Sequence, residues 1–314
     1  MKVLVTDGLE AEAVAKLKAK HEVDVIEATP QQLLDIIGGY EAVIVRGRTK
    51  VTADVIGKAA KLKVIARAGV GVDNIDVAAA TKHRVPVVNA PTASTISVAE
   101  LALAHMLALA RHLPQAHASL KAGKWEKKAF EGTELLGKVL GLVGSGRIGA
   151  EVAKRASAFG MRVIAYDPYL TPTMAEERGF ALTDLESLLL QSDFVSVHAA
   201  LTDETRHMLG AKQLSLLKKS AYLVNCARGE IVDEAALAAA LRAGEIAGAA
   251  LDVFEKEPPT GSPILAAEPT SLTPHLGAST KEAQVRVGET VVEDVLRVLA
   301  GQKPESCVNP DVLR

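Results

Sequence analysis

Cysteine is nearly absent: Cys226 and Cys307 are the only two in 314 residues, and they follow no metal-ligand or redox spacing. That scarcity excludes a disulfide-stapled secreted scaffold and predicts a reducing, cytoplasmic setting. Neither sign of charge dominates, since 36 Lys and Arg against 38 Asp and Glu leave a net charge of -2, and a chain built to coat a polyanion is excluded. Long apolar runs are missing too. The longest, Val98 to Ala110, is broken by Glu100 and His105 and falls short of the ~20 residues that a bilayer span needs; a buried helix is expected there. Residues 1–7 read as a short strand reaching Asp7, without the apolar core and cleavage site of a signal peptide. There are no heptads, low-complexity tracts or short repeats, and no Walker loop or Gly-x-Ser-x-Gly elbow. His21, His83, His105, His112, His117 and His207 are not spaced as metal ligands, so no metal is expected.

What is present is a hydrophobic fraction of 48% and a length beyond which one core stops growing, which together predict about two domains. Short β-branched runs alternate with helical patterns from the start: Val3 to Val5, Val23 to Ile26, Ala42 to Val45, Val64 to Ala66 and Val85 to Val88. That is βαβ punctuation, and Asn89-Ala90-Pro91 ends it. Ser97 and Glu100 have capping-box spacing, so a long helix is expected from Ser97 to about Arg111, stopping before Pro114 and bridging two domains. A second series of strands follows near Val139 to Val143, Arg162 to Tyr166, Phe194 to His198, Tyr222 to Asn225, Ala247 to Leu251 and Ser271 to Thr273. A last helix, about 282–299, lies beyond them and is expected to return to the first unit. The expectation is α/β: two doubly wound parallel-sheet domains, one discontinuous (1–96 with 282–314) and one at 97–281.

Gly144-Ser145-Gly146-Arg147-Ile148-Gly149 directly follows an apolar strand and opens a helix. In that context the first glycine makes the tight turn, the second admits a pyrophosphate, and the third lets helix and strand pack closely. Asp167 ends the next strand about 20 residues on, where its carboxylate can accept from both ribose hydroxyls. A 2′-phosphate would meet a like charge, and Pro168 and Tyr169 supply no arginine, so NAD is expected rather than NADP.

Ligands of open parallel sheets bind past the carboxyl ends of the strands. Arg228, Glu257 and His275 stand there in the second series. Singly, each has an ordinary reading as a surface charge or turn residue. Together they supply what oxidation of a hydroxy acid requires: a base, a carboxylate to tune it, and a cation for the substrate carboxylate. His198 competes, since it also ends a strand, but no carboxylate of the Glu257 kind accompanies it.

The blocks Asn225-Cys226-Ala227-Arg228-Gly229-Glu230-Ile231-Val232-Asp233-Glu234, Ala250-Leu251-Asp252-Val253-Phe254 and Pro274-His275-Leu276-Gly277-Ala278-Ser279-Thr280 closely resemble the D-isomer-specific 2-hydroxyacid dehydrogenases. Val45-Arg46-Gly47-Arg48-Thr49-Lys50-Val51, Arg67-Ala68-Gly69-Val70-Gly71-Val72-Asp73-Asn74, Gly132-Thr133-Glu134-Leu135 and Thr280-Lys281-Glu282-Ala283-Gln284 are most similar to the phosphoglycerate dehydrogenases within that family. The resemblance covers almost the whole chain. It implies a flavodoxin-like substrate domain and a Rossmann NAD-binding domain with the active site in the cleft between them. His275 would be the acid/base, Glu257 its partner and Arg228 the substrate anchor. NAD contacts are implied at Arg147, Ile148, Asp167, Cys226 and Asp252 beside the three glycines, and substrate contacts at Arg46, Arg67, Gly69 and Val70 as well as at Arg228 and His275.

Gly47 and Val70 depart from the serine and threonine usual in phosphoglycerate enzymes, and Ala199-Ala200 from a usual proline. The chain stops shortly after Val308-Asn309-Pro310, which implies a form lacking a C-terminal serine-sensing domain. Arg46, Arg48 and Lys50 alternate, so in an extended segment they would project to one side, as a phosphate pocket or as a solvated basic strand end. The resemblance favours the pocket and implies 3-phospho-D-glycerate as the substrate, with glyoxylate or hydroxypyruvate reduction as the alternative in the same class. Dinucleotide-regulated transcriptional corepressors share the fold and the trio and give an alternative of another class. A homodimer or homotetramer is expected, with no nucleic-acid or membrane partner.

Overall fold

Each short β-branched run becomes a strand, because its alternate side chains can be buried on two opposite faces at once. A computed structural model describes residues 1–314, which divide into two compact units, Met1–Ser94 with Ala278–Arg314 and Thr95–Gly277.

The first unit runs β1 (Lys2–Val5), α1 (Ala11–Lys18), β2 (Glu22–Val25), α2 (Pro30–Ile36), β3 (Ala42–Val45), α3 (Ala53–Lys58), β4 (Val64–Arg67), α4 (Val77–Lys82) and β5 (Val87–Asn89). Its sheet is wholly parallel in the order β2-β1-β3-β4-β5, the flavodoxin-like winding. Val3, Val5, Ala42 and Ile44 face one core, Leu4, Val43, Val45 and Ile65 the other.

The second unit contains α5 (Thr95–Ala110), α6 (Leu113–Lys121), β6 (Val139–Val143), α7 (Arg147–Ala158), β7 (Arg162–Tyr166), α8 (Pro172–Glu177), β8 (Ala181–Leu182), α9 (Leu185–Gln191), β9 (Phe194–Val197), α10 (Ala211–Leu214), β10 (Tyr222–Asn225), α11 (Glu234–Ala243), β11 (Gly248–Leu251) and β12 (Thr270–Leu272). All seven strands are parallel in the order β12-β11-β10-β9-β6-β7-β8, the Rossmann winding with one strand added at the β12 edge. The chain then returns to the first unit as α12 (Lys281–Leu299), capped by Thr280 and packed on α1, β4 and β5 through Val287, Val291 and Val295.

Three expectations need correction. The long helix starts at Thr95, not Ser97: Ser97 is buried inside it, and Glu100 turns to Arg155 at 3.6 Å instead of back to the Ser97 amide. All of α5 belongs to the second unit rather than being shared by two, and it packs against α7, β10, β11 and β12. The units divide at 94/95 and 277/278, where 96/97 and 281/282 were expected. The helix does stop before Pro114, as expected, and Pro114 itself sits in the first turn of α6, where its missing N–H has no partner to lose. The buried apolar run is helical as expected, and no single helix is long and apolar enough to cross a membrane.

Candidate active site

The glycine turn sits at the β6–α7 corner. Gly144 has φ +83°, and a Cβ there would lie 2.6 Å from the Ala199 amide nitrogen. A Cβ on Gly149 would lie 2.6 Å from the Gly144 carbonyl oxygen, so this glycine sets the helix-to-strand approach. A Cβ on Gly146 would meet nothing within 4 Å, which leaves room for a ligand at the backbone. Thr29, Thr52, Asp76, Thr171, Asp184, Asp233 and Thr280 cap the helices that follow them. α7 instead opens on Gly146 with no side-chain cap, and its first amides, beside Arg147 and Ile148, face an anion-ready end. These features fit a dinucleotide pyrophosphate.

Asp167 lies at the end of β7, as expected, but its carboxylate is partly engaged. Oδ2 accepts from the Ser145 amide (2.8 Å) and hydroxyl (3.2 Å), and Oδ1 from the Tyr169 amide (3.0 Å). A carboxylate has about four acceptor sites, so capacity for a ribose remains. One expectation fails here: a guanidinium does stand at the turn, because Arg178 donates to the Ser145 carbonyl at 3.0 Å.

Strand register brings three distant residues together. Asn225 of β10 lies beside Leu251 of β11, and Leu251 beside Leu272 of β12. Arg228, Glu257 and His275 each follow one of those ends. His275 Nδ1 and Glu257 Oε2 are 2.8 Å apart, and the Phe254 amide holds Glu257 Oε1 at 3.3 Å. Glu257 raises the His275 pKa above its ordinary value, chiefly through that hydrogen bond, against burial and the charge of Arg228. Burial pushes the Glu257 carboxyl up, but the bond to His275 and the nearby Arg228 prevail and hold it low. Asn225 fixes the Arg228 loop: its Nδ2 donates to the Arg228 carbonyl (2.9 Å) and its Oδ1 accepts from Ala227 N (3.0 Å). The ring of His275 stays about half exposed.

His275 has φ 54°, a left-handed conformation that costs a non-glycine residue about 1–2 kcal/mol. Asp252 holds it. The His275 amide donates to the Asp252 carbonyl at 2.8 Å, and the buried Asp252 carboxylate accepts from Leu276 N (2.7 Å) and Gly277 N (2.8 Å). Cys226 is a buried thiol in the core beneath β10, its pKa raised by burial. His198 differs from His275 in every relevant respect: burial lowers its pKa to about 4, and its near neighbour is the Ser196 hydroxyl at 2.8 Å.

In the first unit Arg46 donates to Gln284, while Arg48 pairs with Asp7 (3.4 Å) and Glu27 (3.3 Å). The segment bends at Gly47 and Arg48 instead of extending. The expected one-sided phosphate pocket of Arg46, Arg48 and Lys50 is therefore not formed by alternation. Asp7 causes the bend, accepting from Arg46 N (2.7 Å), Thr49 N (3.0 Å) and the Thr49 hydroxyl (2.6 Å). Asn74 closes it, donating to the Arg46 and Thr49 carbonyls. Arg67 folds over Gly69, where a Cβ would fall 1.7 Å from Nη1, and the Val70 carbonyl accepts from Asn89 Nδ2 at 2.6 Å. Asp7, Asn74, Asn225 and Thr273 escaped the sequence reading. Asp7, Asn225 and Thr273 each stand at or just past a strand end, the signal that could have found them; Asn74 carried none.

The profile of a family described as D-isomer specific 2-hydroxyacid dehydrogenase, NAD binding domain, matches residues 103–277. The chain is 53% identical to a D-3-phosphoglycerate dehydrogenase of Methanocaldococcus jannaschii over 98% of its own length and 59% of that protein's. It thus spans about three fifths of such relatives. It is 48% identical to a hydroxypyruvate reductase of Thermotoga maritima over 95% of its own length and 98% of that protein's. Among solved structures, the D-lactate dehydrogenase of Aquifex aeolicus complexed with NAD and lactic acid superposes with a TM-score of 0.88 at 30% identity, covering 98% of this chain and 99% of that one.

Proposed function

The chain belongs to the D-isomer specific 2-hydroxyacid dehydrogenase family and carries its NAD-binding domain, and from that premise we propose that it oxidises 3-phospho-D-glycerate to 3-phosphohydroxypyruvate, the entry to serine synthesis. The chemistry rests above all on the 2.8 Å pair of His275 and Glu257 past neighbouring strand ends. NAD, when bound, supplies the hydride acceptor. Gly144, Gly146, Gly149, Arg147 and Ile148 would hold its pyrophosphate and Asp167 its ribose, and Cys226 and Asp252 are assigned to NAD on the family resemblance.

Because Nδ1 of His275 is committed to the carboxylate, Nε2 is the nitrogen that takes the hydroxyl proton of the substrate. Glu257 stabilises the imidazolium that results, and Arg228 grips the substrate carboxylate with its planar fork. Arg46, Arg67, Gly69 and Val70 are assigned to substrate on the same reading. The phosphorylated substrate is supported by relatives named for it at 45–53% identity.

A reductase acting on hydroxypyruvate or glyoxylate is the second reading, favoured by the Thermotoga maritima relative that this chain matches over 98% of its length. Initial rates of NADH formation with 3-phosphoglycerate and with glycerate, and of NADH consumption with hydroxypyruvate and glyoxylate, separate the two. Higher kcat/KM for the unphosphorylated pair transfers the assignment to the reductase, and no turnover with any of them removes the enzyme reading. A homodimer or homotetramer completes the proposal: α6 buries none of its residues and exposes Leu113 and Leu120, as a helix awaiting a second copy would. Elution as a monomer on a sizing column would refute it. Cytoplasmic placement goes with the unpaired Cys226 and Cys307.

A further inference from the structure

We propose that His105 is a positioning residue for His275: a neutral imidazole protonated on Nε2, it aims the Thr273 hydroxyl at Asp252 and so fixes the turn that presents the reactive ring. The inference rests on the reading of His275 as acid/base. His105 lies in α5, only 3% exposed, and far in sequence from both of its hydrogen-bond partners. Its Nδ1 is 3.0 Å from the Ser271 hydroxyl and its Nε2 is 3.1 Å from the Thr273 hydroxyl.

The direction of every bond follows from counting protons. The Asp252 carboxylate only accepts, so the Thr273 hydroxyl, 2.5 Å away, donates its single proton there. Toward His105 the same oxygen must therefore accept, which places a proton on Nε2. Ser271 then donates to the bare Nδ1. Nε2 therefore carries the proton whatever the charge of the ring, and in the neutral form Nδ1 is left to accept. Burial acts in the same sense, lowering the His105 pKa against the opposing charge of Asp252.

Asp252 is where this chain of donors meets the active site. Its carboxylate, oriented from behind by Thr273, holds the amides of Leu276 and Gly277, and its carbonyl holds the amide of His275. A left-handed residue persists only when its surroundings over-determine it. Here the clamp is Asp252, and His105 with Thr273 sets the angle of the clamp. Asp252 also lies near enough for its charge to raise the His275 pKa, so a shift of its carboxylate is felt by the ring.

The test compares His105→Leu with His105→Gln, two side chains of similar size, of which only glutamine can donate to Thr273 and accept from Ser271. NMR titration of the His275 ring in the ligand-free protein should show a lowered pKa in His105→Leu and a value near that of the parent in His105→Gln. With whichever hydroxy acid the parent turns over, kcat should fall about 10- to 100-fold in His105→Leu with little change in KM, and glutamine should restore most of it. Thr273→Val should behave as His105→Leu does, and Thr273→Ser as the parent. Equal losses in the leucine and glutamine variants would reduce His105 to packing, and an unchanged His275 in His105→Leu would overturn the proposal. Should His105→Leu fail to fold, the Thr273 pair and the 15N shifts of His105 in the parent still decide, since a ring protonated on Nδ1 contradicts the chain of donors. The titration needs no turnover, so it separates this proposal from the assignment of the substrate.

Discussion

At the scale of single residues, the active site depends on how two neighbouring groups move each other's proton affinity. Glu257 raises His275, and oxidation needs the ring neutral, so the oxidative rate should climb as pH rises through that raised value. In Glu257→Gln the ring loses its anionic partner and its pKa falls. The oxidative rise should then begin at lower pH, and reduction, which needs the protonated ring, should fail at lower pH than in the parent. Profiles of kcat/KM in both directions check this, and limbs that stay in place would deny Glu257 its tuning role. Removing the ring is harsher: His275→Ala should lower kcat by about 10²- to 10⁴-fold with NADH affinity nearly unchanged, whereas His198→Ala should do much less. The reverse order would exchange their roles. His275, Glu257 and Arg228 were legible because each follows a strand end. His105 was not. Its hydrogen-bond partners, Ser271 and Thr273, lie 166 and 168 residues away.

At the scale of elements, periodicity found strands well and found local bends poorly. The continuous apolar runs of β1, β3, β6 and β10 reflect burial on both faces and are written in the residues themselves. Basic residues alternate along Arg46–Lys50, yet the segment bends, because Asp7, just past β1, captures its amides. The β7–α8 corner hid a second tertiary fact, that Arg178 reaches back to the Ser145 carbonyl. The negative charge of Asp167 then becomes the chief barrier to a 2′-phosphate. Asp167→Ser should gain affinity for NADPH relative to NADH by about tenfold, ~1.4 kcal/mol, and Asp167→Ser with Arg178→Ala should lose that gain. Fluorescence titration with both dinucleotides measures it; equal gains with and without Arg178 would exclude the guanidinium.

At the scale of the molecule, two doubly wound sheets were legible from the order of strands and helices, while the junctions at Ser94/Thr95 and Gly277/Ala278 are set by packing and lie two and four residues before the expected bounds. Val291 of α12 is fully buried against the first sheet. Val291→Asp should therefore open the first unit to protease while a fragment spanning about 95–277 survives and still binds NADH; simultaneous loss of both units would show that the second cannot stand without the first. The same helix has a consequence for synthesis. Residues 1–94 leave the ribosome with β1, β3 and β4 complete, but the apolar face formed by Val5, Ile44, Val64 and Ala66 waits for α12. Roughly 200 residues later, at about 5–20 residues per second, that is about 10–40 s of exposed sheet on every nascent chain. Growth temperature and chaperone supply should accordingly limit the yield of this protein before its final stability does.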